Sequence, residues 1–277
     1  MPRTNKEPAE RCRPPVISPP LFAFFSHYFI YYLRKHFNSV RIDRQTPVPV
    51  LSGPTLFYMN HPSWWDPLVA AAIAFRCYPG YQHFAPIDAA ALERYRFMMK
   101  IGFFGIQRNC RRGTLRFLQT SRAILREQKM ALWLTPQGDF TDPRNISAPL
   151  RPGIGHLAAS IYPLTLIPVA IEYAFWQERL PEAFIRFGTP VLTTARQDLS
   201  NHSIGPTTAA QWTSHLADAL GYGQTALAQN VITREPARFT TLLTGRIGIG
   251  GIYDLARRTN AWRKGRVFFP GHEGPQA

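Results

Sequence analysis

Apolar positions along this chain follow two patterns, short unbroken runs and residues spaced three or four apart. The unbroken runs predict buried strands at Thr55 to Met59, Met130 to Leu134 and Leu164 to Tyr173. The spaced positions predict helices at Leu68 to Phe75, Ala89 to Ile101, Arg111 to Gln128, Gly153 to Ile161 and Pro206 to Leu227, and the apolar stripe of the third is Leu115, Leu118, Ala123 and Leu125. A short strand is predicted to begin at Ile106, and residues 198–205 are predicted to be a polar loop. Because strands alternate with helices, the pattern predicts an α/β fold in which helices cover a mixed sheet.

The predicted organisation is one large domain with an appendage at each end. With 277 residues, 45% of them apolar, the chain can bury one sizeable core, which we place at residues 37–230. Residues 1–20 are a basic, Pro-rich lead, and residues 21–36 are predicted to form a helix. Residues 231–277 are a basic C-terminal extension, and its tail from Gly245 to Ala277 is interpreted either as a second membrane-contacting segment or as a flexible end.

The candidate chemistry lies where the first predicted strand meets a helix. His61 and Asp66 are five residues apart, and five residues of a straight helix turn through about 500°, so the two side chains meet only if the chain bends. Pro62 supplies the bend as a first-turn helix residue, which leaves His61 at a corner. The pair predicts a general base with an orienting carboxylate. His83 and Asp88 repeat the spacing, but there the pattern predicts a surface histidine at the end of a strand.

Four blocks of sequence, in order, resemble the signature of the glycerolipid acyltransferases that include lysophosphatidic acid acyltransferase. The blocks are NHPSWWDP at 60–67, GFFGIQR at 102–108, LWLTPQGD at 132–139 and LIPVAI at 166–171. Weaker similarity continues through RFGTP at 186–190, so the resemblance covers residues 20 to 220 approximately. We therefore expect residues 37–230 to be an acyltransferase catalytic domain.

The resemblance implies transfer of a fatty acyl group from a thioester of coenzyme A or acyl carrier protein to a lipid hydroxyl, without a cofactor. In that reaction His61 takes the proton of the attacking hydroxyl, and Asp66 orients the imidazole and stabilises the imidazolium. The turn at 136–139, within the third block, is expected to offer backbone N–H groups to the thioester oxygen, and an ordinary turn after a strand is equally compatible with these four residues. The residues expected to bind substrate are Asn60, Ser63, Arg108, Gln137, Gly138 and Asp139.

The third block departs from the family's FPEGTR pattern. Gln137 replaces the Glu, Asp139 replaces the Thr, and Phe140 stands where the Arg is expected. A guanidinium is the usual bidentate partner of a phosphate, so this change bears on the acceptor.

Two classes of acceptor remain open from the sequence. A lysophospholipid acceptor fits the retained Arg108, with Arg144 or Arg151 compensating for the missing arginine. A glycosylated lipid, such as a glycolipid or a carotenoid glycoside, fits Asp139 and Asp142, because carboxylates accept hydrogen bonds from sugar hydroxyls.

Charge and cysteine content indicate the partners and the compartment. A net charge of +15 and a pI near 10.3 call for an acidic partner. The basic residues are scattered through apolar segments without a nucleic-acid-binding motif, so we expect anionic lipid head groups and an acidic acyl donor, and no nucleic acid. Three cysteines without metal-like spacing favour a reducing compartment and no metal site.

The segment Leu21 to Leu33 indicates how the protein meets a membrane. Its 13 residues fall short of the about 20 that a spanning helix needs. Dense aromatic residues followed by Arg34, Lys35 and His36 predict a helix in the head-group region, with the enzyme peripheral or monotopic at the cytoplasmic face of the cell membrane. The alternative is an ordinary helix packed on the core.

Two other functions are compatible with the same residues. Water in place of an acceptor alcohol would make the site an acyl-ester hydrolase. A non-catalytic lipid-binding scaffold would explain the altered third block, although the retention of both His61 and Asp66 weighs against it.

Overall fold

The structure, a computed structural model, describes residues 14–108, 110–193, 206–248 and 251–268. The helices are Pro19–His36 (α1), Asp66–Cys77 (α2), Ala89–Arg94 (α3), Arg111–Ile124 (α4), Gly153–Ala158 (α5), Ala209–Ile232 (α6) and Gly251–Arg263 (α7), with 3₁₀ turns at Arg96–Ile101 and Pro236–Arg238. The strands are Ser39–Asp43 (β1), Thr55–Met59 (β2), Gln82–Asp88 (β3), Phe103–Ile106 (β4), Met130–Leu134 (β5), Leu164–Ala174 (β6), Glu182–Phe187 (β7), Val191–Thr193 (β8) and Phe239–Thr244 (β9). The polar loop predicted at 198–205 lies outside the described residues, as does most of the lead at 1–20.

The described strands form one mixed sheet, as the sequence predicts. Their order is β4-β3-β5-β2-β6-β7-β1-β9, with β8 paired to β6. β2 lies parallel to both β5 and β6, whereas β6 and β7 are antiparallel. The carboxyl ends of β2, β5 and β6 therefore meet at one edge, where three of the four sequence blocks come together.

Helices cover both faces of this sheet and produce two apolar cores. Side chains alternate along a strand, so Phe57 and Met59 of β2 join the core under α1 and α2, and Leu56 and Tyr58 join the core under α5 and α6. A strand buried on both faces has no polar alternation, which explains the unbroken apolar run at 55–59.

Most predicted elements are confirmed, and their boundaries differ. Pro62 is not a helical residue, because α2 begins at Asp66 after a six-residue loop. The strand predicted to begin at Ile106 instead ends there. The helix predicted at 89–101 changes to a 3₁₀ turn after Arg94. In α4 one member of the predicted apolar stripe, Leu115, is exposed, whereas Leu118 packs against the core and Leu125 is fully buried.

The buried side of α4 consists of Gly113, Ser121 and Ile124. A Cβ at Gly113 would lie 2.0 Å from the carbonyl oxygen of Gln107, so glycine permits this close approach. Two of the three buried residues, Gly113 and Ser121, are small, and apolar periodicity does not detect them.

The prediction of a surface histidine at His83 is wrong. This residue is buried in β3, where its Nε2–H donates to the carbonyl of Tyr78 (3.0 Å) and its Nδ1 accepts from the indole N–H of Trp133 (3.1 Å). Both ring nitrogens are used by the core. Burial accordingly lowers the pKa of His83 to about 4, against a partial opposing effect of its bond to Tyr78.

Helix α1 has two faces of different character. Ser26, Ile30 and Leu33 are buried against the domain. An opposite exposed row, spaced three and four residues apart, consists of Leu21, Phe24, Tyr28 and Tyr31. Among the helices that the structure describes, none has both the length and the hydropathy of a membrane span.

Candidate active site

The loop at 60–65 is anchored at its first residue. Asn60 has no exposed surface, its Nδ2 donates to the carbonyl of Ile171 (2.9 Å), and its Oδ1 accepts from the N–H of Ile171 (2.8 Å). The amide side chain thus continues the β2–β6 pairing beyond the end of β2. The buried amide is engaged by the backbone of β6, and the predicted substrate contact of Asn60 stays a prediction.

His61 and Asp66 meet at the end of this loop. The imidazole Nδ1 lies 2.6 Å from Oδ2 of Asp66, and Asp66 is fully buried whereas the His61 side chain keeps 16% of its surface exposed. The N–H of Ser63 donates to the same carboxylate oxygen (3.1 Å), and the Ser63 hydroxyl accepts from the N–H of Trp65 (3.3 Å). The loop therefore closes on the carboxylate through its own backbone.

The position of the proton on His61 follows from this contact. A buried carboxylate accepts hydrogen bonds, so Nδ1 carries the hydrogen and Nε2 carries the lone pair. A fixed tautomer with a basic Nε2 on a partly exposed ring is the arrangement that a general base requires.

Tyr173, at the end of β6, supplies the third donor to Asp66. Its hydroxyl donates to Oδ1 at 2.7 Å. Burial, the charge of Asp66 and this hydrogen bond raise the pKa of Tyr173 well above its ordinary value, so the phenol stays protonated. Sequence reasoning missed Tyr173, although β6 extends past the end of β2 and brings Ile171 and Tyr173 alongside the loop.

The third block wraps around His61. Gln137 is buried and its Oε1 accepts the backbone N–H of His61 (2.8 Å). The N–H of Thr141 donates to the His61 carbonyl (2.9 Å), and the ring of Phe140 lies 4.5 Å from the imidazole, centroid to centroid. Gln137 thus holds the backbone that carries the base, and Phe140 gives the base an apolar neighbour.

The remaining predicted substrate residues lie together at the rim of this loop. Gly138 has a left-handed φ of +82°, and a Cβ there would lie 2.0 Å from Nε of Arg151. Asp139 pairs with Arg108 (3.2 Å) and with Arg151 (3.0 Å). Arg151 is the second cation at this rim, and its partner Asp139 was not evident from the sequence.

The N–H of Gly138 is already used within its turn. It donates to the carbonyl of Thr135 at 3.0 Å. The glycine therefore permits the tight turn beside Arg151, and the predicted role of this turn toward the thioester oxygen stays a prediction.

The acidic residue Asp142, which the sequence singles out beside Asp139, is already paired. Asp142 and Arg144 form an exposed bidentate pair that holds the pKa of Asp142 well below its usual range. Among the described residues, no group of three or more His, Cys, Asp or Glu side chains is placed to hold a metal ion. The expectation of a metal-free site stays a prediction.

Part of the chain matches a known protein family. Residues 39–172 match the family model described as Acyltransferase. The match begins with β1 and includes His61, Asp66, Arg108 and the turn at Gly138, and it ends one residue before Tyr173. No curated protein matches the chain.

Proposed function

Because residues 39–172 of this chain belong to the acyltransferase family, we propose that the protein is a membrane-associated O-acyltransferase. It moves a fatty acyl group from a thioester of coenzyme A or acyl carrier protein to a lipid hydroxyl. The observation that carries the proposal is the 2.6 Å contact between the imidazole of His61 and the fully buried carboxylate of Asp66.

In the proposed reaction, Nε2 of His61 takes the proton of the acceptor hydroxyl as its oxygen bonds to the thioester carbonyl carbon. Collapse of the tetrahedral intermediate breaks the C–S bond, and the proton on Nε2 passes to the leaving thiolate. Asp66 stabilises the imidazolium between these steps. No covalent acyl-enzyme is required.

The test of this mechanism compares two histidines. We expect His61→Ala to abolish CoA release and ester formation from palmitoyl-CoA and a lipid acceptor, while a cooperative urea unfolding transition shows that the variant is folded. His215→Ala, on the exposed side of α6, is the matched control and should keep full activity. A folded His61→Ala variant with wild-type turnover would refute the assignment.

Product analysis in the same assay separates the two alternative functions. Free fatty acid in place of an ester, at the same rate with and without acceptor, would identify a hydrolase. Lipid binding without turnover of either CoA- or carrier-bound thioesters would identify a scaffold.

The acceptor is proposed to be a lysophospholipid or a glycosylated lipid, and Asp139 distinguishes the two. Its carboxylate neutralises part of the charge of Arg108 and Arg151. Asp139→Ala leaves both guanidiniums free, so lysophosphatidate turnover should rise if the acceptor carries a phosphate. The same variant should lose turnover of a monoglycosylated lipid if Asp139 accepts sugar hydroxyls.

Membrane association is proposed to occur through the exposed aromatic row of α1. Phe97 extends this row, since its ring stacks 4.7 Å from that of Phe25, and Arg34 and Lys35 follow at the helix end. Aromatic side chains beside cations suit the head-group region of an anionic leaflet. The proposed location is the cytoplasmic face of the cell membrane.

Deletion of α1 would not test membrane binding cleanly. Leu33 is part of the core, and Tyr32, His36 and Phe37 pack against Trp65, beside Asp66. The deletion would therefore disturb the candidate site itself.

A substitution on the outward face avoids this problem. We expect Phe24→Ser combined with Tyr31→Ser to reduce flotation with phosphatidylglycerol vesicles while activity on detergent-dispersed substrate persists. Tyr222→Ser, an equally exposed aromatic on α6, is the control and should float normally. Unchanged flotation of the double variant would exclude this face as the contact.

A further inference from the structure

Both oxygens of the Asp66 carboxylate accept hydrogen bonds, one from neighbours along the chain and the other from a distant strand. Oδ2 accepts from His61 and from the backbone of Ser63, both within the loop. Oδ1 accepts from the hydroxyl of Tyr173, which is 107 residues away along the chain on β6. Tyr173 is thus the contact that ties the carboxylate to the sheet.

The hydroxyl of Tyr173 also bears on the chemistry of the pair. Hydrogen bonds to one carboxylate share its negative charge, so a donor on Oδ1 weakens the attraction that Oδ2 exerts on the Nδ1–H of His61. The donor is permanent, because the pKa of Tyr173 lies well above its ordinary value through burial and the charge of Asp66. A phenol in this position therefore limits how strongly Asp66 favours the imidazolium.

We propose that Tyr173 is a positioning residue of the acyl-transfer site, which fixes the Asp66 carboxylate and sets the pH range in which His61 is a neutral base. This inference rests on the proposed function of His61. Tyr173 contacts Asp66 and acts through it, whereas the substrate meets the opposite nitrogen of the imidazole.

The ring of Tyr173 also packs 5.8 Å from that of Phe37, so loss of activity alone would not separate positioning from packing. The chain offers a matched control in Tyr58, which is buried in β2 and whose hydroxyl has no hydrogen-bond partner among the described residues. Tyr58→Phe removes the same atom from another tyrosine of the sheet, one that is fully buried, without touching the candidate site.

The experiment is the pH dependence of kcat/KM for Tyr173→Phe, with palmitoyl-CoA as donor and the lipid acceptor that the wild type uses. We expect the acid limb to move up by about one pH unit, so that the loss is about tenfold at the acid limb and small at pH 9. Tyr58→Phe should reproduce the wild-type profile. A loss of equal size at every pH, or an unchanged profile, would overturn the proposal.

A second variant covers the case in which Tyr173→Phe does not fold. Replacing Tyr173 with 3-fluorotyrosine keeps the ring and makes the hydroxyl a stronger donor, so the acid limb should move down. A shift in the other direction, or none, would count against the proposal. If His61→Ala is inactive while both Tyr173 variants keep the wild-type limb, the positioning role fails and the acyl-transfer function stands.

Discussion

Substitution of Asp66 separates its structural role from its charge. Asp66 has no exposed surface and accepts hydrogen bonds from His61, Ser63 and Tyr173. Alanine leaves these three donors facing a small apolar space. A buried donor without its partner costs about 1–3 kcal/mol, and removing the buried charge offsets part of the sum, so we expect Asp66→Ala to lower the free energy of unfolding by about 3 kcal/mol.

Asparagine at position 66 preserves the geometry and removes the charge. Its amide oxygen accepts from His61 and Ser63, and its NH₂ group donates to the hydroxyl oxygen of Tyr173. We expect a loss of only about 1 kcal/mol in stability. The imidazolium, however, loses its counter-charge, and about 3 kcal/mol of lost stabilisation corresponds to a roughly hundredfold lower kcat.

The two measurements are urea unfolding and the initial rate of CoA release from palmitoyl-CoA. Asp218→Asn, at an exposed position of α6, is the control and should match the wild type in both. Wild-type turnover by Asp66→Asn would refute the role of the carboxylate in the reaction. An Asp66→Ala variant as stable as the wild type would refute the three-donor account.

Three further predictions concern stability. The pKa of His83, lowered by burial to about 4 from an ordinary 6.5, means that the unfolded chain binds the extra proton. The contribution of His83 to the free energy of unfolding should therefore be fully present above pH 6.5 and should fall by at most about 3 kcal/mol as the pH approaches 4. In urea unfolding, His83→Gln should not show this dependence on pH. Gly138→Ala should lose about 1–2 kcal/mol in urea unfolding, since φ is +82° and the new methyl meets Arg151; an unchanged midpoint would contradict this. Tyr58→Phe should unfold at the same urea concentration or higher, because the buried Tyr58 hydroxyl that it removes has no hydrogen-bond partner among the described residues. A lower midpoint would mean that this hydroxyl does form a hydrogen bond.

Local spacing was enough to predict the α/β order, the central strands and the bend that joins His61 to Asp66. The strand runs at 55–59 and 130–134 coincide with β2 and β5, because a strand buried on both faces has few polar positions. The family resemblance is confirmed at residues 39–172. The five-residue spacing also sufficed for the His61–Asp66 contact, since His61 lies in the loop at 60–65 and Asp66 is the residue that follows it.

Only the tertiary structure determined which residues from distant parts of the sequence contact the loop at 60–65 and the start of α2. Asn60 and Asp66 are held by Ile171 and Tyr173 because β2 and β6 run parallel in one particular register, which neither segment specifies alone. The same applies to Arg151 beside Asp139.

His83 is a residue whose exposure the local sequence predicted wrongly. Its neighbours along the chain predict a surface position, but pairing of β3 with β5 buries it beneath Trp133. Whether a polar residue is exposed depends on what the sheet places over it, and that contact joins residues 50 positions apart. Local sequence therefore determined the elements and the candidate base, and strand register determined the environment in which that base lies.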